Sequence, residues 1–357
     1  MPTWLDSLAA FASGVPAFGR TGSALRSGAG GMRQCCCSAP VVLANLWAID
    51  PGSAVAWTQN VDSGNVNNTV LDIDTDASGN VYVITYSPSV PLCRLWKYDS
   101  TGTIQATGSI GAPFSAPTPP AFISTNGSYV AAANGSAVKA FDSSLSALGP
   151  QRSIAPYTAS SLVVDYNGFA WIGTTSGVVF GFSIAGIGGV SPQFTGSSVL
   201  NAGIALDTMT ATPSYVYQVN NTAPNRLSSY QIGVGGTAQA TNAHNGLARR
   251  TDSSLVTGRT DGSVERYTVS GTTWTLADTW TTGGSLVTNV KADANVTAAV
   301  GASDSDGKST FVFDSAGTLT FRWAIDSDPT ITPYVAKPAG SRVYVGGASS
   351  TTWQSTV

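Results

Sequence analysis

The sequence predicts an all-β fold, a closed ring of seven four-stranded sheets carried behind a separate N-terminal arm, and three observations lead there. One motif recurs seven times at spacings of roughly 37–49 residues, the length of a four-stranded repeat unit. Glycine, serine, threonine, alanine and valine dominate, a composition suited to short strands and tight turns, and the 357 residues hold a single glutamate, Glu265. Beyond residue 41 no stretch longer than about ten residues carries a helical period.

The repeat has two markers. The first is an apolar segment that ends on an aromatic or branched residue, usually followed by aspartate and a turn. Leu95-Trp96-Lys97-Tyr98-Asp99 matches Leu46-Trp47-Ala48-Ile49-Asp50, and Phe311-Val312-Phe313-Asp314 and Val138-Lys139-Ala140-Phe141-Asp142 repeat the pattern. Weaker copies end at Phe182, Tyr230 and Tyr267. The second marker precedes the first: a short apolar strand at Val81-Tyr82-Val83, Tyr129-Val130-Ala131, Ala170-Trp171-Ile172, Tyr215-Val216-Tyr217, Leu255-Val256-Thr257, Val296-Thr297-Ala298 and Val343-Tyr344-Val345. Turns such as Ser78-Gly79-Asn80, Asn126-Gly127-Ser128 and Asn167-Gly168 lead into it, and such residues tolerate the positive φ of tight hairpins.

A four-stranded sheet of this kind cannot cover both of its faces alone, and radial packing of seven copies does so. Inner strands near 333–337 and 342–347 lie at the C-terminus, whereas 46–59 has outer-hairpin character at the other end. The last sheet should therefore combine both ends of the chain and remove a fraying edge. Residues 351–354 also sit at outer-strand spacing. Asp74-Thr-Asp-Ala-Ser-Gly79-Asn80-Val81-Tyr82-Val83 resembles the D-x-x-G-N-V-Y-V repeat of the β-propeller superfamily. The resemblance covers most of 70–357 and implies a seven-bladed β-propeller over 41–357, closed by N-terminal strands. The Gly-His and Trp-Asp dipeptides of tryptophan-aspartate repeats are absent, as is a kelch double glycine at regular spacing, so no named enzyme family is implied.

Charged residues are only 10% of the chain and the net charge is −3, with no basic stretch; this composition excludes nucleic-acid binding by phosphate neutralisation. No apolar run reaches the roughly 18–20 residues that cross a bilayer. The opening MPTWLDSLAAFASGVPAFG lacks a positively charged start and is interrupted by Asp6, unlike a secretion leader.

Asp72, Asp74 and Asp76 alternate as in calcium loops, but Gly79 comes late and no glutamate follows. A blade-entry strand and its turn account for them, and Ser303-Asp304-Ser305-Asp306-Gly307 reads as a hairpin turn. The single histidine, His244, rules out multi-histidine metal sites and falls in Thr241-Asn242-Ala243-His244-Asn245-Gly246, which reads as an inter-blade loop. Glu265, beside Arg266, reads as a solvated strand-edge position. No aspartate stands apart from a turn aspartate, so neither a carboxylate pair nor a nucleophile–base–orienter set can be named. The expectation is no enzymatic activity, no cofactor and no metal.

Cys35, Cys36 and Cys37 are consecutive, with Cys93 far off. Adjacent side chains diverge, which does not suit a zinc site. Three readings stand: buried thiols where an arm docks, disulfides to another chain or to Cys93, and acylation or metal binding. In the arm, residues 1–40, Trp4, Leu5, Leu8, Phe11 and Ala12 follow helical spacing, with Thr3 as a cap and Gly14 and Pro16 as the stop. Residues 19–31 are glycine-rich. An isolated helix this short is marginal in water, so Trp4, Leu5, Leu8 and Phe11 are expected to dock on another protein chain; a disordered leader, or an arm folded over its own ring, is the alternative.

The uncharged Ser/Thr/Gly-rich surface and the arm resemble, in style, bacteriophage decoration and tail proteins. That resemblance implies a non-enzymatic virion component with other virion proteins as partners. The alternative is an extracellular carbohydrate-binding or carbohydrate-active propeller with its ligand at the channel mouth, to which nine tryptophans and twelve tyrosines could contribute stacking surfaces.

Overall fold

The structure, a computed structural model, describes residues 43–349 except 52–54, 62–67, 88–91, 112–120, 187–190, 196–200, 209–210, 221–225, 242, 295 and 324–331. Trp4, Leu5, Leu8, Phe11, Cys35, Cys36, Cys37 and residues 351–354 lie outside the described residues. Twenty-eight strands, β1–β28 in chain order, form seven antiparallel four-stranded sheets among the described residues, and no helix occurs there. The first strands of the sheets are β3 (Thr69–Thr75), β7 (Ala121–Thr125), β11 (Ala159–Val164), β15 (Asn201–Leu206), β19 (His244–Arg249), β23 (Val287–Asp293) and β27 (Thr332–Ala339). Each contacts the first strands on both sides, and β27 returns to β3. The cycle is a seven-bladed β-propeller. Blades 1 to 6 begin at β3, β7, β11, β15, β19 and β23 and use four consecutive strands each.

The seventh blade has the order β2-β1-β28-β27, where β1 is Leu43–Ile49, β2 is Val55–Val61 and β28 is Arg342–Ser349. Both apolar markers find their places. Val81–Val83, Tyr129–Ala131 and their equivalents are second strands of the blades, and the segments ending at Tyr98, Phe141, Phe182, Tyr230, Tyr267, Phe313 and Ile49 are third strands. The second strands read as continuous apolar runs because neighbouring blades cover both of their faces. Val81, Tyr82, Val83 and Ile84 are all fully buried. Each such side chain is worth about 1.5–3 kcal/mol on burial.

Aspartate explains why the turns recur. In six turns, starting at Asp76, Asp99, Asp142, Asp165, Asp304 and Asp314, one carboxylate oxygen accepts the backbone N–H groups two and four residues on, at 2.8–3.0 Å. The fourth residue has positive φ in every case; it is glycine in five turns and Leu145 in the sixth. The turn at Asp304 is the hairpin expected for 303–307.

Aromatic rings seal some blade seams over these turns. The Trp57 indole N–H of β2 donates to the Ser100 carbonyl at 3.1 Å, and Gln59 donates to the Gly102 carbonyl at 3.0 Å. A Cβ on Gly102 would lie 2.8 Å from the Trp57 ring. Trp280 covers Gly317 in the same way, between blades 5 and 6. At the closing seam Arg342 also bridges Asp50, at 2.8 Å, and the Ser100 carbonyl.

Candidate functional site

Two clusters of ionisable side chains stand apart from the turn chemistry. The first lies on the inner wall of the ring. Strand alternation puts Asp72 and Asp74 of β3 on one face. The Asp72 carboxylate meets the Lys291 ammonium of β23 at 2.9 Å, and that of Asp74 meets Lys337 of β27 at 3.1 Å. Lys337 also donates to the Ala292 carbonyl at 3.1 Å. The second oxygen of Asp72 accepts the Ile123 N–H at 3.1 Å, and that of Asp74 accepts the Thr125 N–H at 2.9 Å and the Ser124 hydroxyl at 3.2 Å. The quartet therefore fastens blades 6 and 7 to blade 1, and blade 1 to blade 2, where the ring closes. Burial raises the pKa of Asp72, against the pull of Lys291. Burial would also raise Asp74, but Lys337 and Lys291 outweigh it and hold this carboxyl below its usual range.

The expectation that no aspartate departs from turn duty is thus corrected: Asp72 and Asp74 hold lysines that lie more than 200 residues downstream. Asp76 alone of the three is a turn aspartate. Among the described residues no three histidine, cysteine, aspartate or glutamate side chains converge in a way that could hold a metal ion.

The second cluster corrects two further readings. His244, expected in an inter-blade loop, is the first residue of β19 and is fully buried. Glu265, expected on a solvated edge, lies in the third strand of blade 5, β21 (Ser263–Ser270), with 3% exposure. The chain's one histidine and one glutamate meet there, with Nε2 of His244 3.8 Å from the Glu265 carboxylate. Arg259, at the end of β20 (Leu255–Arg259), donates to Glu265 at 2.6 Å, and the Tyr267 hydroxyl donates to its other oxygen at 2.6 Å. Arg259 also pairs with Asp261 at 2.7 Å. The register delivers these groups. His244 pairs with Arg259 across β19 and β20, and Glu265 and Tyr267, two residues apart, share a face of β21.

The cluster resembles a hydroxyl–imidazole–carboxylate relay only in composition. Thr241 Oγ1, at 3.1 Å, and Glu265 both face Nε2, whereas a relay needs its two partners on opposite ring nitrogens. Among the described residues, Nδ1 of His244 is buried without a hydrogen-bond partner. Burial holds the imidazole's pKa down at about 4, outweighing the favourable charge of Glu265.

Cys93 is a free thiol with no exposure, packed with Tyr86, Leu95 and Ile110, and burial pushes its pKa up to about 12. The stacking surfaces counted in the sequence are mostly consumed by packing. Trp47, Trp171, Trp274 and Trp280 are buried, and among the described residues Tyr166, 61% exposed, is the one aromatic side chain that stands out into solvent. A groove of about 430 Å³ on blade 1 is lined by Arg94, Trp96, Thr107 and Ser109, and its indole N–H is already donated to Thr85 at 3.3 Å.

No family model matches the chain, and no curated protein matches it. Solved structures do. The chain is similar to virginiamycin B lyase from Staphylococcus aureus at 12% identity, over 86% of this chain and 99% of that one, with a TM-score of 0.57. It is also similar to the computationally designed Ika8 protein at 14% identity, over 78% and 81% of the two chains, with a TM-score of 0.52. At these identities the likeness is one of fold.

Proposed function

We propose that this chain is a non-enzymatic interaction module, a rigid ring that contacts other protein chains of a large assembly through its circumference. The observation that supports this reading is the outermost strands. β2, β6 (Ile104–Gly111), β14 (Ser191–Thr195) and β18 (Gly235–Ala240) contain no charged residue. The charges on β22 (Thr273–Thr281) and β26 (Leu319–Trp323) are spent internally, as Asp278 pairs with Arg266, and Arg322 with Asp304 and Asp306. Soluble monomers guard exposed edge strands with lysine, proline or bulges, because an open edge is a template for pairing. Of the four uncharged strands, β14 holds Pro192 and β2, β6 and β14 join their blades with a bulge, and the remaining outer strand, β10 (Arg152–Ser153), carries Arg152. β18 has no charge, proline or bulge, and β-pairing with a partner chain would use that edge first.

The finer reading is a bacteriophage virion component, a decoration or tail protein, with residues 1–40 as anchor and Trp4, Leu5, Leu8 and Phe11 as the buried contacts. The arm and the uncharged, hydroxyl-rich composition support it. Cys35, Cys36 and Cys37 would then be docking thiols or links to a partner. The catalytic role is set aside because the His244 cluster has the wrong nitrogen geometry for a relay and the Asp72 quartet has every carboxylate paired.

Isolation of native particles tests this reading. The chain should copurify at a fixed stoichiometry, and Thr237→Lys with Gln239→Lys on β18 should lower incorporation several-fold while circular dichroism stays unchanged. Full incorporation of that variant, or a hydrolase or lyase activity abolished by changing one aspartate or Glu265, would defeat it.

A further inference from the structure

In the His244 cluster the imidazole, Glu265 and Tyr267 are buried, only Arg259 reaches toward solvent, and among the described residues one ring nitrogen has no partner. The cluster abuts the seam between blades 4 and 5. Tyr267, whose hydroxyl Glu265 holds, packs edge-on to Trp274 at 5.6 Å between ring centres, and Trp274 packs edge-on to Tyr217 of blade 4 at 5.5 Å. The Trp274 indole donates to Ser229 of blade 4 at 2.7 Å, and the Tyr217 hydroxyl donates to the Gly271 carbonyl of blade 5. The position of Glu265 thus sets the position of the aromatic ring that leads into the seam.

We propose that His244, Glu265, Tyr267 and Arg259 form an acid-operated latch that holds blade 5 against blade 4 when the imidazole is neutral and releases that seam when it takes a proton. The geometry gives the reason. Nε2 faces two oxygens, the Thr241 hydroxyl and the Glu265 carboxylate, so the neutral ring carries its hydrogen there. A second proton must then go on Nδ1, which is buried and has no acceptor among the described residues. The charge would also lie near Arg259, which is fixed by Glu265 and Asp261. Among the described residues the ionisable groups that act on the ring are Glu265 and Tyr267 of β21, Arg259 of β20 and Asp261 of the turn between those strands. Protonation is met by opening the cluster to water, and Tyr267 moves with Glu265.

Linkage fixes the direction. The imidazole titrates near pH 4 in the folded chain and near 6.5 in the unfolded one. The unfolded chain therefore binds more protons between those values, and stability falls as pH drops through that window, levelling off below about 4. With only one histidine, no other side chain of ordinary pKa titrates in the upper part of the window.

Two measurements on the full chain test the latch. Histidine labelled with carbon-13 gives a single ring resonance, whose midpoint should lie well below 6.5 and coincide with faster amide exchange, corrected for intrinsic rates, in 215–231 and 244–281. In His244→Gln the local pH dependence of that exchange should vanish. A ring midpoint near 6.5, acid-enhanced exchange spread evenly over seven blades, or the same local response in His244→Gln would each overturn it.

Discussion

Asp72 is a carboxylate with a side-chain exposure of 4%, held by a lysine from five blades further along the chain whose own side chain is 22% exposed. Taking away one partner of such a pair costs more than the pair contributes, because the remaining charge stays buried and unmatched. Lys291→Met should destabilise the ring by about 2–4 kcal/mol, toward the lower end of what fully buried pairs lose since Lys291 is partly in water. Adding Asp72→Asn should recover part of that loss, because the neutral amide can still accept the Ile123 N–H. Chemical denaturation of the two variants measures both steps. A double variant less stable than Lys291→Met alone would show that the pair has a different role.

At the scale of the element, the recurring unit is a strand pair joined by an aspartate-capped turn, and its value depends on what lies over the turn. Gly102 and Gly307 both have positive φ, +86° and +76°. Beneath the Trp57 ring Gly102 has no room for a Cβ, whereas Gly307 has nothing within 4 Å of that position. Gly307→Ala should cost only the left-handed penalty, about 1–2 kcal/mol, and Gly102→Ala about 1–3 kcal/mol more. The difference in denaturation midpoints isolates the seam contact; equal losses would mean that Trp57 is not held where the structure has it. This scale is also where the sequence was most readable. Asp-x-x-Gly turns and apolar triplets act within five residues of chain, so seven copies of each marker could be found and assigned to second and third strands. The ionisable clusters act across much greater separations. Nothing near Asp72 announces Lys291, and His244 meets Glu265 only because three strands pair in one register. A local reading therefore assigned His244 to a loop and Glu265 to an edge. One available signal was composition: the sole glutamate and sole histidine lie within one repeat of a chain nearly free of both.

The larger unit, Pro40–Val357, is a ring whose closing blade joins β1 and β2 to β27 and β28. Removing residues 1–38 should leave the blades folded, because β1 begins at Leu43. Removal through residue 61 deletes β1 and β2, strips both outer strands from blade 7 and exposes β28 as an edge. The shorter truncation should run as a β-rich monomer on size exclusion and the longer one should aggregate; equal behaviour would place closure elsewhere. The composite blade also has a consequence in time. Asp50 and Arg342, bonded across the closing blade, are 292 residues apart in the chain. At about 5–20 residues per second on the ribosome, the β1–β2 hairpin emerges roughly 15–60 s before its partner strand exists. Through that interval it presents an uncharged edge to its surroundings and to every other nascent copy. The last contact to form is thus the one of longest range, which makes the end of synthesis, rather than any single blade, the step at which a chaperone would matter most.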